Sequence, residues 1–349
     1  MTATCRTCLV TGFPLDAARR VALELAAQGD RVLLLARDKF VPDARRLTEI
    51  TAATTPGRIE VLVGDILAVD LGLDGATVRR IHAEVGEVHH LAAIHYLGID
   101  APRMRQVNVD GLREALELSL GMVQLKRVCV WSTVFVAGNR TGTVYEHQLE
   151  KGQQFRNPYE RTKAQAEALA RSAMARLPLT VVRVPNLLGD SRTGQAGRLD
   201  GVYSVASSIV HHAEPVRLPV PGAHPLHVVP VDFAVQAAVA LTRHPDGIGG
   251  TFHVVDEAPL TARAFFDAVA DAAGRPRPVV TLQSRLGHAL ARMPAWSKQA
   301  RHDHGLLDWF ESDVRFDATR ARQLLGALRC PPVASYVDNL VAWLRDRDD

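Results

Sequence analysis

Six short apolar runs alternate with helical patterns through the first half of this 349-residue chain, and that alternation limits the fold more than any other feature. The strand-like runs are residues 8–11, 31–35, 59–63, 88–91, 128–132 and 179–184. Between the first two, residues 16–28 carry apolar side chains at helical spacing and stop at Gly29, a residue that readily ends helices. Residues 103–120 and the alanine-rich stretch 159–177 give two longer helical patterns. Strands separated by helices pair in parallel, and the helices cover both faces of the sheet. The predicted class is therefore α/β, a doubly wound parallel sheet built by residues 1–188. After Pro185 the pattern loosens. Residues 189–230 read as loops with a short helix. A strand–helix pair is expected at 226–240, a strand at 251–255 and helices at 261–273, within 282–313 and at 332–345. Residues 189–349 are expected to form a smaller α+β lobe, with part of 226–255 returning to the main sheet. In such sheets ligands bind at the carboxyl ends of the strands.

The sharpest chemical signal is Asn157-Pro158-Tyr159-Glu160-Arg161-Thr162-Lys163. Tyr159 and Lys163 are four residues apart at the start of a helical pattern, so both side chains share one helix face. A free tyrosine titrates near pH ~10 and is a poor acid–base group at neutral pH. A neighbouring ammonium favours the phenolate and lowers that pKa. Such a tyrosine can pass a proton to or from a carbonyl oxygen. Three other strand ends point the same way: Thr11-Gly12 after the first run, Ala92-Ala93 after the fourth, and Ser132-Thr133 after the fifth.

Taken together, and over residues 6–345, these motifs resemble the extended branch of the short-chain dehydrogenase/reductase superfamily. The resemblance implies a Rossmann NAD(P)-binding domain at 1–188 and a substrate lobe at 189–349. It implies a catalytic set of Thr133 (or Ser132), Tyr159, Lys163 and Asn108. Tyr159 would protonate the substrate oxygen, Thr133 would hydrogen-bond it, and Lys163 would hold ribose hydroxyls and lower the tyrosine pKa. Asn108 would position a helix kink or a relay water. Two stretches, Gln153 to Lys163 and Arg183 to Gly194 with its Gly189-Asp190-Ser191-Arg192-Thr193-Gly194, resemble the thioester-reductase and fatty-acyl-CoA-reductase-like branch. Alignment of Gly138 with that branch selects Thr133 over Ser132. The implied activity is reduction of a carbonyl or acyl thioester by hydride transfer, on a small-molecule or carrier-bound substrate. Ser132, Asn186, Asp200 and Tyr203 are expected to border the substrate. Two alternatives share the scaffold: a nucleotide-sugar epimerase or dehydratase, or a hydroxysteroid-type dehydrogenase. The epimerase Tyr-Gly-Pro ending is absent, and Val134-Phe135 stand where a dehydratase has an acidic pair. A cofactor-poor scaffold or binding protein is a third alternative.

That last alternative rests on the phosphate turn, Thr11-Gly12-Phe13-Pro14-Leu15-Asp16-Ala17-Ala18. The family pattern has three glycines; here Gly12 is kept while Leu15 and Ala18 replace the others. The second glycine normally lets the backbone approach a pyrophosphate. Asp16 adds a carboxylate where helix amides should meet phosphate, either repelling it or capping the helix itself. The resemblance assigns cofactor contacts to Thr11, Gly12, Phe13, Pro14, Leu15, Asp65, Ile66, Ala92, Ala93, Lys163, Val184 and Pro185. Arg37 follows the second strand, where an acidic residue would bind the ribose hydroxyl of NAD and an arginine suits a 2′-phosphate. NADP(H) is therefore favoured over NAD(H).

Bulk properties exclude other classes. A net charge of +3, with both signs interspersed, leaves no stripe for nucleic acid and no polybasic tail. No apolar run reaches the ~18 residues that span a bilayer. The N-terminus runs straight into a strand without a secretory signal, so a cytoplasmic location is expected, as a monomer or homodimer. Cys5, Cys8, Cys129 and Cys330 read as reduced thiols. His89-His90, His211-His212 and His302-Asp303-His304 supply no complete ligand set, so no metal is expected. Trp131 and Phe135 read as core, and Trp296, Trp309 and Phe310 as helix packing in preference to a substrate channel.

Overall fold

The computed structural model describes residues 5–95, 99–197, 201–218, 221–280, 309–310 and 312–347. Its centre is a seven-stranded parallel sheet. The strands are β1 (Thr7–Thr11), β2 (Arg31–Ala36), β3 (Arg58–Val63), β4 (Glu87–His90), β5 (Arg127–Thr133), Leu179–Val184 and Thr251–His253. Across the sheet they run Thr251–His253, Leu179–Val184, β5, β4, β1, β2, β3. All six strand-like runs read from the sequence are strands of this sheet. Most are apolar without alternation because parallel strands covered on both faces bury both sets of side chains; Leu179–Val184 is buried at every residue, whereas the edge strand β3 is buried only at Ile59 and Leu62. The order reverses between β1 and β4, which opens a crevice at their carboxyl ends.

Helix α1 (Asp16–Ala27) buries Ala18, Val21, Ala22, Leu25 and Ala26, a stripe at i, i+3, i+4 and i+7 that packs on one face of the sheet. The helix Val231–Arg243 lies on the same face. The opposite face is covered by Gly111–Leu120 and Pro158–Ala173, whose apolar residues form a separate core. A third core, with Phe265, Phe266, Ile209, Leu340 and Leu344 at its centre, belongs to the later part of the chain. Strand Thr251–His253 extends the edge of the main sheet. Strand Val228–Pro230 instead pairs with Asn186–Leu188 in a two-stranded ribbon beside it. The expected helix at 103–120 is present and contains a π-helical turn, Gln106–Asp110, between Ala101–Arg105 and Gly111–Leu120. Trp296, His302, Asp303, His304 and Asp200, all singled out in the sequence, lie outside the described residues. Among the described residues no helix is long and apolar enough to cross a membrane, and no cluster of three metal-ligating side chains forms.

β4 carries charge into the core. Glu87 and His89 are both buried, with His89 Nε2 2.7 Å from Glu87 Oε1. Arg243 donates to both Glu87 oxygens at 3.1 Å and also pairs with Asp30. Burial opposes the His89 charge, but bonds to Cys129 and Glu87 and the Glu87 charge outweigh it and push the pKa up to about 9. Burial likewise opposes the Glu87 charge, yet His89 and Arg243 pull its pKa down to about 2. A raised histidine pKa stabilises the fold fully below its ordinary value of 6.5, and that stability is lost as pH rises through about 9. The depressed Glu87 contributes above its ordinary 4.5 and loses its contribution as pH falls through about 2. His89→Gln is therefore expected to flatten the loss of stability between pH 6.5 and about 9 in urea-melt midpoints. Equal slopes for the variant and the wild type over that range contradict the assignment.

Candidate active site

At the carboxyl ends of β1, β4 and β5 lies a cleft of about 390 Å³. Pro14, Leu15, Ala93, Val184 and Pro185 line it on the expected cofactor side. Ser132, Tyr159, Lys163, Asn186 and Tyr203 line it on the expected substrate side. Thr11, Gly12, Phe13, Ala92, Asn108, Thr133, Arg37, Asp65 and Ile66 are not among its lining residues.

Tyr159 and Lys163 project from the first turns of the helix Pro158–Ala173. Asn157 caps it, accepting the Glu160 N–H at 2.9 Å, and Pro158 follows at a first-turn position that needs no N–H. The expected effect of Lys163 on Tyr159 is not what the geometry gives. The Lys163 ammonium donates to the Trp131 carbonyl at 2.6 Å. Burial pushes the Tyr159 pKa up to about 12, a hydrogen bond with Thr133 works against the rise, and the Glu160 charge adds to it. Tyr159 is thus a neutral phenol at pH 7. Burial also lowers the Lys163 pKa to about 8, with Glu167 opposing the fall. The physical reason is desolvation, which a nearby cation must overcome before it can lower a phenol pKa.

The two hydroxyls that end β5 separate cleanly. Ser132 Oγ donates to Glu167 Oε2 at 2.7 Å. Thr133 Oγ1 accepts the Phe135 N–H at 3.3 Å, which leaves its own proton for the Tyr159 oxygen. Glu167 is fully buried and held by Arg183 through three contacts of 2.7–3.1 Å. Asn108 sits in the π-helical turn, 2% exposed. Its Oδ1 accepts the Ile94 N–H at 2.7 Å, and its Nδ2 donates to the Ile94 carbonyl at 3.0 Å and to Thr162 Oγ1 at 3.1 Å. The amide ties the loop after β4 to the Tyr159 helix, and its donors are spent on protein.

The phosphate turn fits a dinucleotide better than its sequence suggests. Gly12 has φ +110°, and a Cβ there would lie 2.8 Å from the Leu91–Ala92 backbone. Leu15 packs partly against the apolar core. Leu15 occupies the position preceding α1, and no side chain caps the helix amides. Asp16 is the first helical residue and does not cap; its carboxylate meets Arg20 Nε at 2.8 Å and Arg19 Nη2 at 3.5 Å. The first-turn amides are thus uncapped, with the Asp16 carboxylate beside them paired to arginine, an arrangement compatible with an anion at the helix end. Thr11 Oγ1 lies 3.0 Å from His90 Nδ1. Asp65 accepts the Leu67 N–H at 3.0 Å after β3, and Ile66 packs over Gly111. Arg37 is exposed at the end of β2, its guanidinium 5.3 Å from the Phe40 ring centre, with Lys39 4.7 Å from the same ring.

Part of the far wall was not expected from the sequence. Trp309 lines the cleft, stacked on Phe135 at 4.1 Å and 9°, and its Nε1 donates to Glu160 Oε1 at 2.9 Å. Trp131, Phe135, Leu187, Leu188 and Val202 line it too. The concentration of aromatic residues was visible in the sequence, but the pairing of Phe135 with a residue 174 positions later was not.

The sheet order and the cleft are those of the extended short-chain dehydrogenase/reductases, a class of NAD(P)-dependent oxidoreductases. Within that class the chain belongs to the male sterility protein family, whose NAD-binding profile matches residues 25–238. It is 30% identical to a carboxylic acid reductase of Segniliparus rugosus over 220 residues, 54% of this chain and 18% of that protein. It is 26% identical to the fatty acyl-CoA reductase wat of Drosophila melanogaster over 212 residues, 52% of this chain and 41% of that protein. Among solved structures, the terminal R domain from the myxalamid PKS-NRPS biosynthetic pathway matches with a TM-score of 0.81 and 26% identity, covering 99% of this chain and 92% of that one. Aligned segments span between 4% and 41% of the four curated relatives matched.

Proposed function

We propose that this protein is an NADPH-dependent reductase of acyl thioesters or related carbonyls, with Thr133, Tyr159 and Lys163 as its working set. The observation that carries this reading is that Tyr159 and Lys163 share one cleft with the Pro14–Leu15 turn and with an apolar wall of Phe135, Leu187, Val202 and Trp309. The likeness to a carboxylic acid reductase and to an R domain supports an acyl substrate, free or carrier-bound. When bound, the nicotinamide cofactor supplies the hydride. Tyr159 enters the reaction as a phenol, since burial holds its pKa near about 12, and donates its proton to the substrate oxygen. Thr133 orients that phenol. Lys163, still mainly an ammonium at pH 7, is placed to hold ribose hydroxyls. With a thioester, a hydride on carbon and a proton on oxygen give a hemithioacetal. Its C–S bond then breaks, and the hydroxyl proton leaves with the sulfur as a thiol, giving the aldehyde.

Arg37 supports the choice of NADPH: an exposed guanidinium follows β2, and Lys39 adds a second cation beside it. Arg37→Ala is expected to weaken NADPH binding by roughly 1.5–3 kcal/mol, the worth of a charge-assisted hydrogen bond, and to leave NADH binding unchanged. Calorimetric titration of both cofactors tests the reading. Equal weakening of the two, or a wild-type preference for NADH, rejects the NADPH assignment. Failure of the wild type to bind either cofactor favours a binding scaffold.

A further inference from the structure

Arg20 spans two parts of the chain that the sequence separates by 170 residues. Its Nε donates to Asp16 Oδ2 at 2.8 Å, Nη1 to Asp190 Oδ2 at 2.9 Å, and Nη2 to the Gln195 carbonyl at 3.0 Å. The Arg20 side chain is 14% exposed and that of Asp190 only 6%, so little water competes for the bond between them. The loop it reaches is built in detail. Asp190 Oδ1 accepts the Arg192 and Thr193 N–H groups at 3.0 and 3.2 Å. Ser191 donates through N and Oγ to Asp232 at 2.9 and 2.6 Å, and Asn339 Nδ2 donates to the Ser191 carbonyl at 2.8 Å. The loop then passes so close to α1 that a Cβ on Gly197 would lie 2.6 Å from Asp16 Cβ. Ala196 and Gly197 line the cleft.

The geometry points to Arg20 as a positioning residue that joins the cofactor turn to the substrate wall. With one arm it cancels the Asp16 charge at the uncapped start of α1; with the others it fixes the 190–197 loop against the cleft. This rests on the proposed nicotinamide dinucleotide site. Asp16 alone would repel a pyrophosphate; Arg20, one helix turn further on and the nearer of its two arginine partners, offsets that charge at 2.8 Å, with Arg19 at 3.5 Å. The pyrophosphate is common to NADPH and NADH, so the effect of Arg20 is expected to ignore the 2′-phosphate that Arg37 reads.

The test is calorimetric titration of NADPH and NADH against the full chain and three variants, Arg20→Gln, Asp16→Asn and the double variant. Arg20→Gln is expected to weaken both cofactors by about tenfold and by equal factors, the size of a partly buried helix-terminus charge. Asp16→Asn in that background is expected to restore cofactor affinity to within about threefold of wild type. The KM for an acyl thioester stays raised in the double variant, because the Asp190 and Gln195 contacts remain lost. Should Arg20→Gln fail to fold, Asp16→Asn alone still decides: affinity within about threefold of wild type fits a carboxylate already neutralised, and tightening by tenfold or more overturns it. Wild-type binding that Arg20→Gln leaves unchanged, or a double variant without recovery, overturns the role of Arg20 alone. A wild type that binds neither dinucleotide overturns the cofactor site and this role with it.

Discussion

Tyr159→Phe is expected to lower turnover by on the order of 10²–10⁴-fold, the usual loss when a positioned acid–base group is removed. The variant keeps the ring, which lines the cleft and packs beside the apolar core, so the fold and the cofactor affinity should hold. Only the proton donor and its hydrogen bond with Thr133 disappear. The pH profile is a second readout. A phenol with a pKa of about 12 stays protonated across the neutral range, so loss of the phenol proton should set no alkaline limb near pH 7–8. The group that titrates there is Lys163, lowered by burial to about 8. Turnover of the variant within threefold of wild type removes Tyr159 from the chemistry.

The largest expected effect on stability lies one helix turn beyond Lys163. Glu167 and Arg183 are 0% and 1% exposed and pair at 2.7 Å. Arg183 also donates to the Gln148 carbonyl at 2.6 Å and meets His253 Nε2 at 3.0 Å. Taking both charges out of water is costly, and the pair mainly offsets that cost; removing one partner leaves the other buried without compensation. Arg183→Met is expected to destabilise the protein by about 3–5 kcal/mol, because Arg171 at 2.9 Å supplies only part of what Glu167 loses. Replacing both partners with apolar residues of similar volume should cost less than the single change, since no fully buried charge is then stranded: Arg171 loses Glu167 but is 24% exposed and keeps its bonds to the His147 and Glu146 carbonyls. Urea melts of the single and double variants read the difference. A double variant less stable than the wild type by the full sum of the two single effects contradicts a coupled pair. Because Glu167 also holds Ser132 next to Thr133, the single variant should lose turnover as well as stability.

What the sequence made legible was the part written in local pattern. Continuous apolar runs located every strand in the first half of the sheet, and the four-residue spacing of Tyr159 and Lys163 placed both in one cleft. What stayed hidden depends on contacts between distant residues. The helical pattern at 103–120 gives no sign of the π-helical turn, and the bonds that Asn108 makes from it to the Ile94 backbone and to Thr162 join residues far apart in the chain. Asp16 reads as a defect of the phosphate turn until Arg20 is seen to hold it. That i,i+4 pair was readable, whereas its continuation to Asp190 was not. The Tyr159 pKa went the opposite way from expectation because burial, which spacing does not reveal, raises it, while the Lys163 ammonium bonds to the Trp131 carbonyl. Trp309 entered the cleft wall through its stack on Phe135 and its bond to Glu160, both made across the fold.

The central claim is that a hydride passes from a reduced nicotinamide to an acyl carbonyl in this cleft while Tyr159 supplies the proton. Its most direct test is a single turnover with NADPH deuterated at the transferable ring position and a panel of acyl thioesters, with products read by mass spectrometry. The predicted result is a single deuterium at the former carbonyl carbon of the aldehyde, formed by the wild type and lost with Tyr159→Phe. An oxidised cofactor without a deuterated product, or no cofactor oxidation with any thioester or simple carbonyl in the panel, contradicts it.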